Sequence, residues 1–246
     1  PMLNIENTLA NSVIHTADSR NSANFGWLKV NHTFSFANYY NPERMNFGVL
    51  RVLNDDVIAP GKGFDTHPHK NMEIITIPLE GKLRHKDDMG NEGIISDSDI
   101  QVMSAGKGVY HSEFNADNNK EVKVLQIWLD PNKNYVEPRY QQISLNDIYT
   151  KNKFFQILSP DKNDQGVWIH QNSWFYIGDF DAVITIDYNI KGLNNGVYCF
   201  VIEGKASVNG SDLGRRDAIG IWNTDSVNIS AKNGTKVLLM EVPMDA

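Results

Sequence analysis

Cysteine is nearly absent from this chain: 246 residues contain one, Cys199. An internal disulfide framework is therefore excluded, and a reducing compartment is the expectation. Cys199 lies in the apolar run 197–202, which predicts a buried, inert thiol. Long apolar runs are missing as well. None approaches the roughly 18 residues that mark a membrane-spanning helix. The opening residues, PMLNIENTLAN, show no basic stretch followed by an apolar one, so no secretory signal is read there and a cytoplasmic location is expected. Pro1, ahead of Met2, is set aside as a processing remnant. Positive charge is scarce: the formal net charge is −7, which argues against an electrostatic grip on nucleic acid or on an anionic membrane. The pair Arg215-Arg216 is the local exception and reads as a solvated turn.

What the chain has is short β-type segments. Aromatic and β-branched residues recur in runs of four to nine, as at 47–53, 73–79, 100–104, 122–130, 154–158, 182–187, 197–202, 218–222 and 236–242, with polar or glycine-containing breaks between them. That spacing predicts an all-β barrel or sandwich. The cluster Asn54-Asp55-Asp56 reads as a turn. The segment 131–138, PNKNYVEP, reads as a linker followed by about one helical turn at 144–149, so two domains are expected, 1–135 and 136–246. An echo supports two copies of one unit: Pro78-Leu79-Glu80-Gly81-Lys82 answers to Val201-Ile202-Glu203-Gly204-Lys205. By simple offset Ile190 and Gly192 stand in the second copy where His67 and His69 stand in the first, with Ile229 and Ala231 for His111 and Glu113. A second metal site is therefore not expected.

The chemistry-bearing residues gather between Gly61 and Asn115. Four of the seven histidines lie there, three of them in paired spacing, as H-x-H at His67 and His69 and as H-x-E at His111 and Glu113. Residues two apart on a strand face the same way, so each pair sends two donor groups into one interior. Three imidazoles and a carboxylate suit one first-row divalent metal, iron(II) first, with nickel, manganese, cobalt, copper or zinc as alternatives. Four ligands leave positions open on an octahedral ion, which points to chemistry rather than scaffolding. A single histidine would more often be an ordinary hydrogen-bonded residue; the paired spacing is what argues otherwise. Pro68, between two of the histidines, lacks an N–H and suits an edge, a bulge or a strand start. Glu73 is read as a supporting or structural residue, and His85 and Asp87 as either pocket mouth or surface hairpin. His15, His32 and His170 have no partner at ligand spacing, and the five tryptophans are read mostly as core.

The pattern G-x5-H-x-H-x3-E from Gly61, followed by G-x-G-x2-H-x3-N from Gly106, resembles the two motifs of the cupin superfamily, with Gly106 where a proline is common. The longer phrases HTFSFANYY (32–40), FGVLRVLNDD (47–56), GFDTHPHKNMEIIT (63–76), HKDDMGN (85–91), MSAGKGVYHSEFN (103–115) and LQIWLDP (125–131) are similar to bacterial members of the pirin family. Asp88 and Ser98 depart from that pattern, where serine and glycine are frequent. The resemblance implies an all-β bicupin of two β-barrel (double-stranded β-helix, jelly-roll) domains. It also implies metal ligands at His67, His69, His111 and Glu113, and quercetin 2,3-dioxygenase activity on a flavonol and O2. Glu113 would then take the proton of the flavonol 3-hydroxyl, with ring opening and loss of carbon monoxide to follow. Spacing alone stops at a metal enzyme or a metal sensor. The alternative that the family suggests is an iron-bearing, redox-sensing regulator that binds a protein partner. A monomer is expected.

Overall fold

The structure, a computed structural model, describes residues 10–245. Its first half contains β1 (Asn11–His15), β2 (Asn21–Asn24), β3 (Leu28–His32), β4 (Leu50–Ile58), β5 (Gly63–His69), β6 (Glu73–Glu80), β7 (Lys82–Asp87), β8 (Glu92–Ser96), β9 (Asp99–Ser104), β10 (Val109–Asn115), β11 (Val122–Leu129) and β12 (Arg139–Ser144). The second contains β13 (Phe154–Ser159), β14 (Val167–Trp168), β15 (Trp174–Phe180), β16 (Ile184–Asn189), β17 (Asn195–Glu203), β18 (Ala206–Val208), β19 (Ser211–Leu213), β20 (Ala218–Trp222), β21 (Ser226–Ala231) and β22 (Thr235–Pro243). Among the described residues the one helical element is a 3-10 turn, Ala17–Ser19, and no helix is long and apolar enough to cross a membrane.

Four sheets result. A seven-stranded sheet in the order β12-β9-β6-β11-β4-β3-β2 faces a four-stranded sheet in the order β5-β10-β7-β8. The second half repeats the plan, β1-β20-β17-β22-β15-β13-β14 facing β16-β21-β18-β19. The copies thus correspond in strand number and in the order of their central strands, and Gly81 and Gly204, the glycines of the sequence echo, both turn the chain with positive φ, +83° and +84°. Register corrects one correspondence. His111 pairs with His67 and Val109 with His69, whereas Ile229 pairs with Ile186 and Val227 with Tyr188. On the edge strand of the second copy the residues facing β21 include Ile186 and Tyr188, whereas Ile190 and Gly192 lie beyond its end, because the loop lengths around the two edge strands differ.

The all-β class stands, but the halves are two-sheet sandwiches of jelly-roll type rather than closed barrels. Among the described residues no strand is hydrogen-bonded into both sheets of its half. The expected turn at 54–56 is also strand: β4 runs through it to Ile58, held by β11, which pairs Gln126 with Asn54, Leu125 with Asp55 and Val124 with Asp56. Each large sheet also takes one strand from beyond the 135/136 boundary. β12 pairs with β9, and β1 pairs with β20.

The two large sheets pack back to back. Ile75, Ile77, Leu125, Ile127 and Leu129 share one core with Ile157, Phe175, Tyr198, Phe200, Leu238 and Met240 across the two halves. Alternation then sends the intervening residues of the first half, among them Thr76, Gln126 and Trp128, toward the small sheet β5-β10-β7-β8. Central strands covered on both faces read as unbroken apolar runs, as EIITIPL does. Each fully buried aliphatic side chain here contributes roughly 1.5–3 kcal/mol, so the interface holds the first sandwich's inner face in fixed position.

Candidate metal centre and its cavity

The small sheet of the first half carries the candidate ligands. β5 is its edge strand, where Pro68 costs no ladder hydrogen bond. β10 pairs with it antiparallel, His111 opposite His67, and one extra residue of β5 is accommodated between Phe64 and His67. Such a bulge re-aims side chains; here it swings both histidines of β5 toward β10. Two close backbone approaches fix the geometry. A Cβ at Gly63 would run into the Glu113 carbonyl, and one at Gly106, whose φ is +48°, into that of Val136.

The structure brings the three histidines together. Ring centroids lie 4.8 Å apart for His67 and His69, 4.4 Å for His67 and His111, and 4.8 Å for His69 and His111. The Nε2 atoms of His69 and His111 are 2.9 Å apart, and His67 Nδ1 lies 2.7 Å from its neighbour's carbonyl at Asp65, which leaves its Nε2 free to face the others. Glu113 is placed differently. Its donor atoms group with His111 and His85, while the three histidines form a group of their own. His111 Nδ1 and Glu113 Oε1 are 3.5 Å apart, without hydrogen-bond geometry, and both are buried and unpartnered. Gln126 Nε2 donates to Glu113 Oε2 at 2.6 Å and fixes the carboxylate's orientation.

Electrostatics favour neutral donors. Burial, reinforced by the neighbouring imidazoles, lowers His69 to about 4 and His111 to about 2. Burial raises Glu113 to about 7, partly offset by the bond from Gln126. Neutral imidazoles offer lone pairs, and a desolvated carboxylate gains most from an adjacent cation. His69 Nε2 and His111 Nε2 face each other beside His67, a set of donor nitrogens that a divalent ion would satisfy, so the three histidines fit a metal, with Glu113 Oε1 at the other nitrogen of the His111 ring.

Other candidates fall elsewhere. Glu73 points away: its Oε1 accepts from Ser104 Oγ (2.9 Å) and from the His170 backbone N–H (2.7 Å), across the junction of the halves. His15 bonds to Tyr198 (2.9 Å) and Cys199 is buried, its thiol pushed up to about 12 by burial. His85 is no surface residue. It is fully buried, its Nε2 is 2.7 Å from Asp87 Oδ2, and its ring lies 5.6 Å from His111 and 4.6 Å from Tyr140.

Sequence reasoning missed the opposite wall. A cavity of about 290 Å³ is lined by His67, His69 and Glu113 on one side and by Asn54, Asp56, Gln126 and Trp128 on the other. Trp128, read as core, stands edge-on to His69 at 5.0 Å and to Phe36 at 5.3 Å. Asn54 and Asp56, like Gln126 and Trp128, are two apart and so share a strand face, but that spacing alone does not tell a cavity wall from a hydrogen-bonded core.

Residues 14–129 match the model of the pirin family, and residues 156–242 that of the quercetinase C-terminal cupin domain. A quercetin 2,3-dioxygenase of Escherichia coli K12 is 39% identical over 94% of this chain and 98% of its own length. The chain belongs to the pirin family. A pirin-like protein of Caulobacter vibrioides is 36% identical, over 91% of this chain and 96% of its own length. Among solved pirin structures, YhhW of E. coli superposes with a TM-score of 0.90 at 38% identity, covering 96% of this chain and 100% of that one. The complex of that bacterial pirin with nickel(II) gives 0.89 at 38% identity, covering 95% and 99%.

Proposed function

We propose that this pirin is a metal-dependent dioxygenase that opens flavonols such as quercetin with O2. The observation that carries the reading is the cluster of three imidazoles, with the buried Glu113 carboxylate beside His111, at a cavity walled by Phe36, Phe64 and Trp128. The kinship with a quercetin 2,3-dioxygenase over nearly the whole chain supports it. His67, His69 and His111 would hold the metal, with Glu113 beside them. Iron(II) is our choice for the native ion, on the strength of the mixed imidazole and carboxylate set. When bound, such an ion supplies Lewis acidity that eases deprotonation of a coordinated hydroxyl.

The chain's own residues do the rest. Glu113, held through Oε2 by Gln126, keeps Oε1 to accept the proton of the flavonol 3-hydroxyl. Glu113 is buried out of water, where a carboxylate accepts such a proton more readily than an exposed one does. Trp128, Phe36 and Phe64 wall the cavity against water, which protects the electron-rich flavonolate and orients its rings. Reaction with O2 then opens the ring and releases carbon monoxide.

Purified protein, loaded in turn with iron(II) and nickel(II), should consume O2 and release carbon monoxide in equal amounts with quercetin. Absence of turnover with every divalent metal of the first row would overturn the assignment.

A further inference from the structure

A second and larger hollow adjoins the metal-site cavity. It measures about 520 Å³ against about 290 Å³, and the two share three wall residues, Phe36, Asp56 and Phe64. The inner cavity sits at the lower limit of small-molecule sites, roughly 300–1,000 Å³, and the two together fall well inside that range. The outer chamber is floored by β2 and β3 and rimmed by the loop 36–40 and by Phe25. Phe25 and Tyr40 are 64% and 73% exposed on that rim, an arrangement of aromatic edges with no core to fill.

Polar groups in the outer chamber are few. Asn21 and His32 face each other at 3.3 Å. Asp56 is different: it is 6% exposed, it lines both hollows, and its Oδ1 is buried without a hydrogen-bond partner. A buried oxygen left unpaired is costly, and a ligand hydroxyl placed against it recovers that cost.

The geometry points to a two-chamber substrate site: the 3-hydroxy-4-oxo ring of a flavonol lies at the histidines, and its pendant aryl ring passes between the shared wall residues Phe36 and Phe64 into the outer chamber, where a ring hydroxyl donates to Asp56 Oδ1. The pendant ring is chosen over the fused one because a single bond lets it twist through the gap between Phe36 and Phe64. The inference rests on the proposed dioxygenase function and specifies its substrates: flavonols hydroxylated on the pendant ring. Asp56 is a specificity-determining residue, not a catalytic one.

The test compares ligands that differ by one part, in the nickel-loaded protein. Dissociation constants from tryptophan quenching under argon, and kcat/KM in air, are measured for 3-hydroxychromone, 3-hydroxyflavone, galangin and quercetin. The pendant ring should improve both quantities at least tenfold from 3-hydroxychromone to 3-hydroxyflavone. Its hydroxyls should do so again from galangin to quercetin. Phe25→Ala and Tyr40→Ala, at exposed positions that leave folding intact, should shrink the first ratio severalfold. Asp56→Leu should bring the second close to one. Ratios near one in the unaltered protein, or rim variants that weaken all four ligands equally, would overturn the two-chamber site. A protein that turns over none of the four refutes the dioxygenase function, while the binding ratios still decide the two-chamber site.

Discussion

Glu113 holds the position where binding and proton transfer meet. Its Oε2 is committed to Gln126 and its Oε1 faces His111. Glu113→Gln keeps the size and one acceptor oxygen, so metal should remain bound, as elemental analysis would show, while quercetin turnover at neutral pH falls about 100-fold or more, the scale for loss of a general base. The deficit should shrink in alkaline buffer, where the flavonol ionises unaided. Near-normal turnover at neutral pH would mean that the proton goes elsewhere. His111 is simpler. Depressed to about 2 by burial, it is a neutral donor at any working pH, and His111→Ala should abolish stoichiometric metal binding while the circular dichroism stays that of a β-protein. The clustering of His67, His69 and His111 was legible because donor residues two apart on each of two paired strands face one interior; the placement of Glu113 with His85 as well as His111 was not. Asp56, Gln126 and Trp128 were not, since one inward polar residue on an apolar strand looks the same whether it faces a cavity or a hydrogen-bonded core.

At the level of the strand, the site depends on how closely β5 and β10 approach. Gly63 is where the backbone of one meets the other: a Cβ there would enter the space of the Glu113 carbonyl and Phe114. Gly63→Ala should force the strands apart, at a cost of roughly 2–3 kcal/mol, within the usual range for overpacking. It should also weaken metal binding, since His67 follows on the same strand. Gly93→Ala is the control. It lies on β8 of the same sheet, a Cβ there meets nothing within 4 Å, and its stability should change by no more than about 0.5 kcal/mol. Equal denaturation midpoints for the two variants would refute the close-approach argument. Strand existence was readable along most of the chain because doubly covered strands such as β6, β17 and β22 are apolar throughout. β1 and β12 escaped notice. Their residues, NSVIH and RYQQIS, are polar and partly exposed, and their place is set by an open sheet edge of the other half, which no local pattern encodes.

On the scale of the whole molecule, the junction of the two sandwiches is apolar except for a few buried polar groups, of which Glu73 is the most consequential. It is 1% exposed, it ties β6 to Ser104 and to the backbone of His170 in the second half, and its Oε2 has no partner. Arg139 stands nearby but spends its guanidinium on Ser104, Gln141 and the Trp168 carbonyl, and stacks on the Trp168 ring at 3.6 Å. Burial therefore dominates and raises Glu73 from its ordinary 4.5 to about 7. Between those two values the folded protein holds a proton that the unfolded chain has released, so stability contributed by the protonated carboxyl is complete below about pH 4.5 and is lost as pH rises through about 7. The loss is on the order of 3 kcal/mol. Asp56, raised to about 8 by burial and the adjacent Asp55, slopes the same way, so the informative quantity is a difference between proteins. Glu73→Gln imitates the protonated form at every pH and retains an acceptor for Ser104 and His170. Its stability relative to the unaltered protein, from urea unfolding of the metal-free chain at intervals from pH 4.5 to 8, should rise with pH and level off above 7. A difference that is flat, or that falls with pH, would show Glu73 ionised against Arg139 and the junction held by a buried ion pair instead.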